Sequence, residues 1–112
     1  MIDYDGRRFS PVTDPPEAAP TTAHYHQTGG LVWGEFSGGH VQRGSLAGTA
    51  EPDGELVFGY CMVLDSGLVV TGRCRSVPEI LGDGRIRLIE EWERYGPDAA
   101  SGVSALEEVS AG

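Results

Sequence analysis

Five turn dipeptides divide the chain at short intervals: Gly29-Gly30, Gly38-Gly39, Asp53-Gly54, Ser66-Gly67 and Asp83-Gly84. Each supplies the positive backbone angles that a tight hairpin needs. The segments between them, 23–27, 31–37, 41–50, 55–64, 68–80 and 85–94, are strand-length or a little more and largely apolar or alternating. Two further segments, around 5–12 and 103–109, can open and close the series. No window carries a helical stripe with caps at both ends, and only "SALEEV" near the end has the local makeup of a short helix. The expectation is about eight short antiparallel strands joined in sequence.

Eight strands without a covering helix must bury their apolar face against each other. Serial hairpins favour one all-β, up-and-down antiparallel barrel, because a Greek-key sandwich needs longer crossing connections. The chain has 112 residues, enough for one modest core, so residues 1–112 read as a single domain. A proline-rich stretch at 10–22 carries Pro11, Pro15, Pro16 and Pro20. It cannot be a strand interior, since proline lacks the ladder N–H, and it forms an open connection or a flap over one barrel end.

Charge narrows the partners. Seventeen acidic residues against eight basic ones give a net charge of −9, and every basic residue is arginine. Such a surface repels phosphate backbones and anionic lipid, so neither a nucleic acid nor a membrane is expected as partner. The first residues lack the apolar run of a signal peptide, and a cytoplasmic location is the expectation. Cys61 and Cys74 fit no metal spacing. A two-residue turn at Ser66-Gly67 sets Cys61 opposite Gly72 and only diagonal to Cys74, so two reduced thiols are expected.

Facing follows from alternation. In "ELVFGYCMVL", the larger and more aromatic set is Leu56, Phe58, Tyr60 and Met62, and this set is assigned inward. Folding the chain at Gly29-Gly30 places His24 opposite Glu35 and His26 opposite Trp33. Tyr25, Val32, Gly34 and Phe36 then share the inner face, and both histidines point outward. Imidazoles at i and i+2 could hold a metal with Glu35. Two solvated ligands and no readable supporting partner argue against it, and no metal is expected.

The interior so defined would be lined by Tyr25, Phe36, Phe58, Tyr60 and Met62, with Gly34 and Gly72 keeping part of it open. Trp92 competes for the same space. Arg73 and Arg75 lie opposite residues 90–93, most simply as an outer charge ladder. If one such pair turns inward, Arg73 or Glu90 would meet a ligand. Pro78 could mark a bulge that flips the facing beyond it.

Two functions are compatible with this pattern. One is a binding barrel, similar to the calycins, that holds one small apolar or weakly acidic ligand and uses no cofactor. The other is a small cofactor-independent enzyme, a cyclase, isomerase or lyase, with Tyr60, Arg73 and Glu90 as its polar groups. A filled barrel acting through its surface, as a homodimer for example, is a third arrangement. Phe58→Ala separates an open interior from a packed one.

The stretches "HYHQTGGLVWGEFSGGHVQRGSLAG" (24–48), "TGRCRSVPEILGDGRIRLIEEW" (71–92) and "SGVSALEEV" (101–109) resemble a group of small bacterial proteins that carry the name N-acetylglutamate synthase. The likeness runs from about Tyr4 to Val109, and departs at His26, at Cys61 and in the length of the proline-rich loop. The name implies acetyl transfer from coenzyme A. The residues do not supply its usual phosphate site, a glycine-rich turn leading into a helix N-terminus, because each glycine pair is used as a hairpin turn.

Overall fold

The computed structural model describes residues 2–109. Eight strands follow one another: β1 (Arg8–Pro11), β2 (Thr22–Thr28), β3 (Leu31–Gly38), β4 (Val41–Ala50), β5 (Leu56–Leu64), β6 (Val69–Ile80), β7 (Ile86–Arg94) and β8 (Ala100–Glu108). Each pairs antiparallel with its sequence neighbours, and β1 pairs with β8 to close the barrel. No helix occurs among the described residues. The "SALEEV" segment, with its helical makeup, lies within β8 or just beyond it, because closure requires a partner for both β7 and β1.

Two hairpin patterns matter for the facing of the inner wall. Gly29-Gly30 is a two-residue turn with Thr28 opposite Leu31, so His24 pairs with Glu35 and His26 with Trp33. The turns ending in Gly54, Gly67 and Gly84 share another pattern. In each, the glycine N–H donates to the carbonyl three residues back, and the strands close one residue later. All three glycines hold φ near +90° (91°, 87° and 88°), the three-residue loop with a glycine bulge. The extra residue at Ser66-Gly67 shifts the β5–β6 register by one from that of a two-residue turn. Cys61 therefore faces Thr71, and Tyr60 faces Gly72. Cys61 is exposed and Cys74 buried, both as free thiols.

That shift decides the facing of β6. Gly72, Cys74 and Ser76 point inward, while Arg73 and Arg75 stand outside opposite Glu93 and Glu91. The candidate ligand contact at Arg73 is thereby corrected: its side chain belongs to the outer ladder. Pro78 causes no bulge, since β6 and β7 keep one register from Gly72 to Ile80.

One end of the barrel is plugged. Tyr4, just before β1, is fully buried, and its hydroxyl donates to the carbonyl of Gly54 at 2.5 Å. Tyr4 packs at 6.3 Å from both Phe9 and Tyr25, which are 5.1 Å apart. Val32, Leu56, Ile86 and Leu88, each 1% exposed or less, fill the space around them. Arg7 ties this end to β8 through both oxygens of Glu108. The proline-rich connection lies at the other end, held by the Thr21 hydroxyl donating to the Gly38 carbonyl at 2.9 Å.

Glycines inside the barrel set its tightness. A Cβ on Gly48 would strike the carbonyl of Val57, and one on Gly72 would strike both the Glu93 carbonyl and the Tyr60 ring. Gly34 likewise lets β3 approach the His24 carbonyl, 2.7 Å from where a Cβ would sit. Gly34 and Gly72 leave no open volume at their Cβ positions. They instead let neighbouring backbones close up, and the space beside Gly72 holds Tyr60.

Candidate functional site: a cavity in the open half of the barrel

Above the aromatic plug the barrel encloses a cavity of about 300 Å³. Tyr25 and Phe9 form its floor, and Phe58, Leu46 and Phe36 continue the apolar wall. Met62, Trp92 and Val41 lie on the same wall, while Pro11 and Thr21, at the two ends of the proline-rich connection, also border it. Tyr60 lines the cavity too, but its hydroxyl donates to the Glu93 carbonyl at 3.1 Å. Its polar end is therefore engaged with backbone.

Glu90 is the acidic group of the interior. It projects from β7 opposite Ser76 and Ser104. The Ser76 hydroxyl donates to Glu90 Oε2 at 2.9 Å, and the Cys74 thiol donates to the same oxygen at 3.3 Å. Both contacts use Oε2, which leaves Oε1 without a protein donor among the described residues. Burial raises the Glu90 pKa above the usual carboxylate range, against the two hydrogen bonds that lower it. Burial and the nearby Glu90 charge also push the Cys74 thiol up, which keeps it protonated and unreactive.

Tyr25 adds a second polar group. Its side chain is 1% exposed, and burial followed by the Glu90 charge raises its pKa well above the ordinary phenol value. No buried side-chain oxygen or nitrogen is left without a partner among the described residues, and no hydrogen bond to protein engages the Tyr25 hydroxyl. That hydroxyl therefore meets the cavity. At the rim, the Arg94 guanidinium lies 5.7 Å from the Trp92 ring centroid.

Of the residues singled out from sequence, Tyr25, Phe36, Phe58, Tyr60, Met62, Glu90 and Trp92 border one cavity, and Arg73 lies outside it. Arg94, Ser76 and Ser104 are not singled out by the sequence, and Cys74 is read there only as a reduced thiol. Arg94 lies two residues beyond Trp92 and four beyond Glu90, so alternation from either assigns it inward. Cys74 and Ser76 depend on the register that the Ser66-Gly67 bulge turn sets, and Ser104 on the pairing of β8 with β7.

A second cluster sits on the outer wall. His24 Nδ1 and His26 Nε2 lie 3.8 and 2.7 Å from Glu35 Oε1, and the three donor groups fall within 4.8 Å of one another. The side chains are 37%, 27% and 59% exposed in the order His24, His26 and Glu35.

A closed eight-stranded meander with one end plugged and a mostly apolar cavity at the other is the architecture of a small-molecule barrel. The family model described as Avidin-like protein matches residues 2–109, and the chain belongs to that family. No curated protein and no solved structure gives a match. The family assignment carries the barrel class and does not support the acetyltransferase name.

Proposed function

We propose that this barrel binds one small organic molecule in its cavity: a compact, largely apolar body with one polar head and an anionic end. The carrying observation is the pairing of unspent polar atoms with an apolar wall. The Tyr25 hydroxyl and Glu90 Oε1 meet the cavity without partners of their own. Aromatic and aliphatic side chains form most of the rest. A ligand group that hydrogen-bonds these two cavity-facing atoms, while apolar side chains surround its body, gains orientation as well as affinity. Avidin-like barrels bind small ligands such as biotin, which supports this reading at the level of ligand class.

Size and charge define the ligand further. A cavity of about 300 Å³ is at the lower end of the range of small-molecule sites, about 300–1,000 Å³. The head group meets Tyr25 and Glu90 below, while Arg94 at the rim suits a carboxylate. A catalytic role receives less support. Glu90 is a lone titrating carboxyl, and the neighbouring thiol and phenol are both pushed towards their neutral forms. The test is a thermal-shift panel of ring-bearing carboxylic acids, biotin among them, beside their methyl esters. A true ligand at 100 times its Kd should add about 2.7 kcal/mol of stability. A panel in which no compound shifts the transition would overturn the reading.

A further inference from the structure

We propose that His24, His26 and Glu35 form a site for one first-row transition-metal dication, of the zinc or copper class, on the outer wall of the β2–β3 hairpin. The hairpin register fixes the frame, with His24 directly opposite Glu35 and His26 two residues along the same face. Glu35 Oε1 lies 2.7 Å from His26 Nε2 in a hydrogen bond and 3.8 Å from His24 Nδ1, so both imidazoles are turned towards the same carboxylate oxygen. Tetrahedral zinc has bonds of about 2.0–2.2 Å to these donor types, which sets neighbouring donors about 3.3 Å apart. The three ligand atoms already lie within 4.8 Å of one another, and the hairpin register holds all three side chains on one face.

Two further features favour a metal. The Trp33 ring stacks on His26 at 5.4 Å and 25°, which restricts the imidazole to few orientations. The net charge of −9 draws dications to the surface. Imidazole with carboxylate suits zinc, copper and nickel, and the remaining coordination positions open to water. In the sequence, two solvated ligands and no readable supporting partner argue against a metal at these residues. Convergence on one oxygen, which residue spacing does not reveal, argues for it. The site lies on the opposite side of the wall from Tyr25, so it stands or falls independently of cavity binding.

The experiment is calorimetric titration of chelator-treated full-length protein with Zn²⁺ and, separately, Cu²⁺. A Cys61→Ser background removes the exposed thiol as a competing ligand. One equivalent should bind per chain, and His24→Ala and Glu35→Gln should each weaken binding by more than about tenfold, as loss of a supporting group already does at metal sites. His40→Ala, which removes an imidazole paired with Asp65 elsewhere on the surface, should leave binding unchanged. Cu²⁺ should quench tryptophan emission, and Trp33→Phe should abolish that quench while the metal still binds. Circular dichroism confirms that each variant is folded. Non-saturating binding, or binding that survives both His24→Ala and Glu35→Gln, would overturn the proposal, as would loss of binding in His40→Ala.

Discussion

Ser76 on β6 and Glu90 on β7 are cross-strand partners, and the serine hydroxyl donates to Glu90 Oε2 at 2.9 Å on the inner wall of the barrel. Burial raises the Glu90 pKa even so. In the unfolded chain the carboxyl titrates near about 4.3. Between that value and the raised folded one, the folded protein holds a proton that the unfolded chain has lost. Stability from this group is therefore fully present below the unfolded pKa and is lost as pH rises through the folded pKa. Glu90→Gln should be more stable relative to the parent at pH 8 than at pH 4. Denaturant melts at both pH values measure the difference, and a gap independent of pH would contradict the assignment.

Close approach at the inner glycines predicts an unusually severe effect for a small substitution. A Cβ on Gly72 has no free volume, because the Glu93 carbonyl and the Tyr60 ring already occupy it. Gly72→Ala should destabilise by more than the roughly 1–3 kcal/mol typical of overpacking, since the main obstacle is backbone. Gly82→Ala is the control, as its Cβ would meet nothing within 4 Å. Equal melting temperatures for the two variants would refute this account of the inner wall.

The plug can be tested at its hydrogen bond. Tyr4→Phe keeps the ring packing but leaves the Gly54 carbonyl without its donor. A cost of about 1–3 kcal/mol is expected from an unsatisfied buried acceptor. Burial also pushes the Tyr4 pKa up to about 12, so spectrophotometric titration should find one phenol ionising later than a free tyrosine, and Tyr4→Phe should remove that late step.

How legible the barrel was depends on the turn. Gly29-Gly30 is a two-residue hairpin with no bulge, and every pair from Thr22 with Ser37 to Thr28 with Leu31 follows from it. Ser66-Gly67 looks equally simple, but Gly67 takes the bulge position of a three-residue loop. One extra residue there exchanges Arg73 for Gly72 as the partner of Tyr60, and hides Cys74 and Ser76 as neighbours of Glu90. Arg94 was obscured for another reason: arginine belongs outside by composition, and only its place at the open rim lets it sit on an inward position. The convergence of His24, His26 and Glu35 depends on rotamers, which alternation does not encode.

Arg94 gives the ligand prediction its charge dependence. Its guanidinium stands over Trp92 at the rim, where one charge-assisted contact to a carboxylate is available. Arg94→Gln should weaken binding of an acidic ligand by about tenfold, or about 1.4 kcal/mol, and leave the methyl ester unaffected. The parent's preference for the acid should shrink as salt rises. Equal losses for acid and ester would assign Arg94 a packing role only.

The most direct measurement is energy transfer from tryptophan to a fluorescent molecule with an aromatic body and an anionic group, anilinonaphthalenesulfonate. Trp92 lines the cavity and Trp33 lies on the outer wall, so the two residues report on different sides of the barrel. Saturation at one molecule per chain is expected. Ala23→Leu should weaken binding by filling the cavity from β2, and Trp33→Phe should leave the affinity unchanged. Binding that fails to saturate, or affinity that survives Ala23→Leu and is lost with Trp33→Phe, would mean that the interior is not the binding site.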